Sequence, residues 1–171
     1  MVKDVLISAS EYLNLPDLNF DTPNRETSLL LKAFNVVCKE LASDYFPLTQ
    51  IDKIASFGGK ILYNNLTNRV LKINAIKCEK GNVRFRVFSS FIKVDFNGAV
   101  EVTYNYLPSD LVLTDNLPWS FITETVMAYG VAGEFALLKN MFAESEIFTQ
   151  KFLENINNLT KFNLAKERRW F

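Results

Sequence analysis

The sequence predicts an α+β fold: a bundle of about four helices, interrupted between the second and third by an antiparallel β-sheet insertion. Three observations carry this reading. Helical periodicity occupies both ends of the chain, and the period changes to alternation between about residues 50 and 106, where turn signals divide short apolar runs. The stretch 117–138, LPWSFITETVMAYGVAGEFALL, is apolar all the way round with Glu124 and Glu134 as its only charges, so it needs packing neighbours on several sides. A chain of 171 residues can bury roughly 70% of its unfolded surface. The expectation is therefore one α+β domain over 1–160, with helical parts 1–48 and 117–160 around a β-rich insertion 49–107, followed by a C-terminal arm 161–171.

Taken in order, Ser8 and Glu11 have capping-box spacing, which predicts a short helix over 9–15 stopped by Pro16. Thr22-Pro23 then offers a cap and a first-turn proline for a longer helix over 24–46, ended by Pro47. Leu30, Phe34, Val37 and Leu41 fall on one face of it, with Arg25, Lys32, Lys39 and Glu40 elsewhere. Beyond Thr49, strands are expected around Ile51 and Ile54, over 61–66 after Gly58-Gly59, and over 70–76. Another is expected after the Lys80-Gly81-Asn82 turn, where Val83, Phe85 and Val87 alternate with Arg84, Arg86 and Phe88.

The Asn97-Gly98 pair predicts a hairpin. A two-residue turn would split the apolar positions between two faces, whereas a three-residue loop Phe96-Asn97-Gly98 pairs Val94 with Val100 and Ile92 with Val102. That register gives a sheet of three to five strands with one apolar face for the helices. The other face, bearing Lys93, Asp95, Glu101 and Thr103, is left for solvent or a partner.

The apolar stretch 117–138 is expected to be a helix from Pro118, capped by Asn116 or Asp115 and about 30 Å long. Its carboxylates, glycines and hydroxyls make membrane insertion expensive, so no membrane is implied. Ala128, Ala132 and Ala136, beside Gly130 and Gly133, leave a flat face on which another backbone can lie closely. The last helix, about 142–159, should pack antiparallel to it through Phe148, Phe152, Ile156 and Leu159, with Glu144, Glu146, Lys151 and Glu154 outside.

Composition removes most catalytic classes. There is no histidine, the commonest general base and metal ligand near neutral pH, and no nucleophile-elbow, phosphate-loop or dinucleotide motif. Gly58-Gly59-Lys60 lacks the spacing of a phosphate loop and reads as a turn. Glu124 and Glu134 lie about 15 Å apart along a helix and form no acid/base pair. Cys38 and Cys78 stand alone, fit no zinc or redox motif and read as buried thiols. No catalytic residue, metal site or cofactor is expected. The balance of 19 basic and 19 acidic residues gives no overall field for nucleic acid, and the opening MVKDVLISAS is too short an apolar run for a signal peptide.

The end of the chain, KERRWF, gathers Lys166, Arg168, Arg169, Trp170 and Phe171. Arg and Trp are types enriched at the energetic centres of interfaces, which favours docking over a solvated end.

A short helix, a long helix, a β-rich insertion ending in VEVTYNYLPSDL, then LPWSFITETVMAYGVAGEFALLKNMFAESEIFTQKF and a terminal ERRWF resemble the head–tail connector (adaptor) proteins of tailed bacteriophages. The resemblance implies a structural virion protein. Its subunits would form a ring, usually of twelve, beneath the portal, extending the DNA channel without sequence-specific binding and offering a platform to downstream tail proteins. It places the protein at the head–tail junction of a virion assembled in host cytoplasm, and gives the terminal arm a role in docking to the portal protein. The long, multi-stranded middle departs from the family pattern and leaves the subfamily open. The alternative from another class is a soluble accessory domain that encloses an apolar small molecule between the sheet and the long helix, lined by some of its fifteen phenylalanines.

Overall fold

The computed structural model describes residues 1–15 and 18–167, with side chains followed to Lys161. The fold is α+β: four helices, with antiparallel strands between the second and third. The chain divides into two compact units, a helical one comprising residues 1–40 with the segment from Asp110 onward, and a β-rich one, Leu41–Ser109.

In the helical unit, α1 (Val2–Tyr12) begins upstream of the expected 9–15 and ends before Leu15, and Ser8 sits inside it rather than capping it. Its start is fixed by backbone from a distant segment: the Val2 and Lys3 N–H groups donate to the carbonyls of Asp115 (3.0 Å) and Leu113 (3.1 Å). Two of the free donors that every helix start carries are thereby satisfied without a side chain. Asn14, at φ 53°, turns the chain out of the helix.

Helix α2 (Arg25–Glu40) is capped by Asn24, not by Thr22. The Asn24 Oδ1 accepts from the Glu26 and Thr27 N–H groups at 2.8 and 2.9 Å, while Thr27 Oγ1 accepts the Asn24 N–H at 2.8 Å, a reciprocal capping box. Leu30, Phe34 and Val37 are buried as expected, and a π-helical turn, Leu41–Tyr45, carries the chain on to Pro47.

Helix α3 (Glu124–Leu138) is shorter than the sequence led one to expect. Residues 117–123 are not helical: Trp119 and Ile122 are buried from a loop, and Thr123 provides the cap by accepting the Val126 N–H. Asp115 instead closes a turn by accepting the Val112 N–H at 2.8 Å. Fifteen residues span about 22 Å, and no helix among the described residues is long and apolar enough to cross a membrane. The all-round apolarity is used, since α1, α2 and α4 (Phe142–Glu167) each pack against α3.

The small residues set how closely they do so. A Cβ built on Gly130 would lie 3.0 Å from the Phe152 ring and from Val37, and one on Gly133 would lie 2.8 Å from Thr149 Oγ1 and 3.2 Å from its backbone N. Residue 130 facing 152 and 133 facing 149 also shows the antiparallel course of α4, which leaves α3 through Asn140 at φ 60°. Phe152 and Ile156 are buried and Phe148 is half-buried, matching the expected face. The Tyr12, Tyr129 and Phe148 rings stack across α1, α3 and α4 at 5.0 to 6.5 Å.

The β-rich unit has seven strands in two sheets, not one sheet of three to five. The four-stranded sheet has the order β1 (Leu48–Ser56), β7 (Gly98–Tyr106), β3 (Val70–Cys78), β4 (Gly81–Asn82). The three-stranded sheet has the order β2 (Lys60–Leu62), β6 (Phe91–Val94), β5 (Phe85–Val87). The expected hairpin, with Ile92 opposite Val102 and Val94 opposite Val100, does not form. Strand β6 pairs with β2 and β5, and β7 pairs with β1 and β3, so residues 95–97 pass between sheets and Gly98, at φ 131°, begins the second one. Ile92, Val94, Val100 and Val102 do share one core with Ile61 and Ile76. Their apolar faces meet across the two sheets, which therefore supply each other's counterface instead of a helix. Gly58 and Gly59, at φ 58° and 69°, make the tight β1–β2 turn, and a Cβ on Gly59 would stand 2.8 Å from the Val94 carbonyl oxygen.

Gly133→Leu should destabilise the protein by about 1–3 kcal/mol through overpacking against α4. In a chain of this size that lowers the melting temperature by several degrees. Thermal unfolding followed by circular dichroism measures it, and an unchanged midpoint would refute the close packing at residue 133.

Candidate interaction surfaces

Among the described residues, no three or more Cys, Asp or Glu side chains are placed to hold a metal ion. Cys38 is buried in α2, and burial pushes its thiol up to about 12, out of the range of a nucleophile at neutral pH. Cys78, expected to be buried, is only partly so. Gly58-Gly59-Lys60 is a hairpin turn, with Phe57 and Lys60 exchanging both backbone hydrogen bonds at 3.1 Å.

The one buried carboxylate of the β-rich unit is Asp52, on β1. It accepts the Thr67 N–H (2.7 Å), the Thr67 hydroxyl (3.0 Å), the Tyr104 hydroxyl (2.7 Å) and the Gln50 amide (3.1 Å). Tyr104 OH in turn accepts the Asn68 N–H at 3.1 Å. Burial alone would raise the Asp52 pKa, but these four donors outweigh it and hold the carboxyl below its ordinary value. Burial, reinforced by the bond to Asp52, raises the Tyr104 phenol. Every lone pair is answered from within the fold, so the cluster is a latch that ties the 67–68 turn to β1 and β7, with nothing left to offer a substrate.

Three concavities on the β-rich unit stand out, the smallest, about 440 Å³, beside Lys53, Lys77 and Glu101. The largest, about 740 Å³ and open to solvent, runs between the 63–73 segment and residues 87–89; its walls include Tyr63, Arg69, Leu71, Lys72 and Phe88. The Tyr63 hydroxyl donates to the Phe88 carbonyl at 3.0 Å and so helps to hold the two walls. A second, about 510 Å³, lies beside Arg84, Arg86, Lys93 and Asp95.

Charge is divided between the units. The segment Leu41–Ser109 holds nine basic and five acidic residues, and the remainder of the chain ten and fourteen, so the balanced total separates into +4 and −4. Sequence reasoning missed this because it summed the whole chain. It also grouped Lys93 and Asp95 with Glu101 and Thr103 on one solvent face, whereas Lys93 lies on the three-stranded sheet, Asp95 in the segment that leaves it, and Glu101 and Thr103 on the four-stranded sheet.

Of the expected docking residues, Lys166 falls in the last turn of α4, whose backbone is helical to Glu167, beyond the expected end at 159. Arg168, Arg169, Trp170 and Phe171 lie outside the described residues. Neither the protein-family models nor the curated proteins compared with this chain contain a match.

Asp52→Asn should lower stability near neutral pH by about 1–3 kcal/mol, the range for hydrogen bonds to a charged group. Because the folded pKa of Asp52 is depressed, its contribution is present above the unfolded value of about 3.9 and disappears as pH falls through the lowered one. The gap between wild type and variant in urea midpoint should therefore close below about pH 4. A gap that stays constant to acid would show that the Asp52 charge is not what the donors hold.

Proposed function

We propose that the chain is a structural subunit of a tailed-bacteriophage head–tail connector, assembled as a ring beneath the portal protein and carrying the tail. The observation that supports this most is the arrangement of the chain. Four helices, three of them packed round the small-residue helix α3, are interrupted between the second and third by a β-rich insertion, which is the element order that the resemblance implies. The role is mechanical. Affinity would come from many identical contacts rather than from one catalytic centre, and ring closure multiplies each contact. Opposite charge on the two units favours head-to-tail contacts, in which a basic surface of one subunit meets an acidic surface of the next.

In this reading Lys166, Arg168, Arg169, Trp170 and Phe171 are the residues that dock to the portal. Purified protein mixed with the cognate portal protein at micromolar concentration should give rings, or portal particles with added mass, by mass photometry and negative-stain imaging. Monomers alone, with portal present, would overturn the proposal. Trp170→Ala should weaken attachment by about 2 kcal/mol per subunit at all salt concentrations. Arg168→Ala with Arg169→Ala should weaken it chiefly at low salt, because screened charges contribute less as ionic strength rises. Attachment indifferent to both variants would remove the arm from the interface.

A further inference from the structure

The outer face of the three-stranded sheet carries an arrangement that the fold does not satisfy internally. Lys93 on β6 lies directly between Lys60 on β2 and Arg86 on β5. With strands about 4.8 Å apart, three exposed cations stand in a row roughly 10 Å long. Like charges directly opposite one another destabilise a sheet. The four-stranded sheet avoids this: there Glu101 lies between Lys53 and Lys77, and Lys53 Nζ reaches Glu101 at 3.1 Å. No carboxylate enters the Lys60–Lys93–Arg86 row. Asp95, one step along beside Arg84, makes no ion pair with these cations among the described residues.

The neighbouring row on the same face is apolar. Leu62 lies opposite Phe91, and the Phe88 and Phe91 rings stack at 4.8 Å and 14°. Lys60 Nζ sits 5.1 Å above the Phe91 ring, and Phe88 is 43% exposed.

We infer that this face binds the phosphodiester backbone of nucleic acid, with phosphates against Lys60, Lys93 and Arg86 and an unpaired base stacked on Phe88. A row of cations beside an exposed aromatic platform is how proteins hold single strands without reading sequence. An acidic peptide would use the cations and leave the rings idle. A membrane would need apolar groups that protrude, and these two rings lie against each other. The inference does not depend on ring assembly, so it can fail while the connector reading stands, and the reverse also holds.

The test uses the full chain and fluorescence anisotropy of a labelled oligothymidylate of about 20 nucleotides, with a duplex of the same length as the second probe. Binding is expected at low salt and should weaken as salt rises, with a logarithmic slope of about −2 for three phosphates on a single strand. Lys93→Glu should reduce affinity for both probes by tenfold or more. It should also raise the melting temperature by about 1–3 °C, because it converts the row to the alternating pattern of the other sheet. Phe88→Ala should weaken the single strand about fivefold or more and leave the duplex unchanged. Lys77→Glu, on the other sheet, and Arg168→Glu with Arg169→Glu should leave affinity within twofold.

Absence of binding to either probe at about 50 mM salt and micromolar protein would overturn the inference. Loss of binding in the arm variant but not in Lys93→Glu would also overturn it. So would displacement of the oligonucleotide by polyglutamate of equal charge, which points to an acidic protein, or tighter binding to phosphatidylserine vesicles abolished by Lys93→Glu, which points to a lipid surface.

Discussion

The helical unit depends on how closely α4 and α2 approach α3. Two glycines and three alanines remove side-chain bulk from α3 at Gly130, Gly133, Ala128, Ala132 and Ala136, and all three alanines are fully buried. The ring of Phe152 and the backbone of Thr149 occupy the space that larger residues would take. Glycine in a helix interior costs about 1 kcal/mol of propensity. The burial of Phe135, Phe152 and Ile156 against the same surface offsets it. Because α3 is apolar on every side, it accepts α1, α2 and α4 together, and the loop 111–115 then closes the start of α1 by offering its carbonyls.

The β-rich unit solves a different problem. Its strands are short, and a lone sheet of such strands would leave one apolar face without cover. Passing from β6 to β7 between sheets lets the chain set Ile92 and Val94 against Val100 and Val102 and build a core of its own. The Asp52 latch then fixes residues 67–68, which lie in no strand. A buried carboxylate with four donors favours one arrangement of that turn over its competitors, since any other would leave the charge unpaired.

The two sheets also treat charge in opposite ways. Alternation across Lys53, Glu101 and Lys77 is what stability alone would select, and the unbroken row of Lys60, Lys93 and Arg86 is what an external anion would select. The helical unit carries the compensating negative charge, so the neutral composition of the whole chain conceals two surfaces of opposite character.

Local chemistry was enough to determine the α+β class, the core character of residues 124–138, the buried face of α4 and the turns at Gly58-Gly59 and Lys80-Gly81, because each rests on periodicity or on backbone freedom within a few residues. The starts of α1 and α3 were not legible. Val2 and Lys3 are capped by carbonyls more than a hundred residues away, and Pro118, a plausible first helical residue, is excluded by the burial of Trp119 and Ile122 from a loop. Strand pairing was equally hidden. Ile92, Val94, Val100 and Val102 announce a shared apolar core, but a hairpin and a crossing between two sheets bury the same four side chains, and only the remaining strands select between them. The cationic row follows from that selection: Lys60, Arg86 and Lys93 lie up to 33 positions apart in the sequence, and they become neighbours only when β2 and β5 take their places on either side of β6.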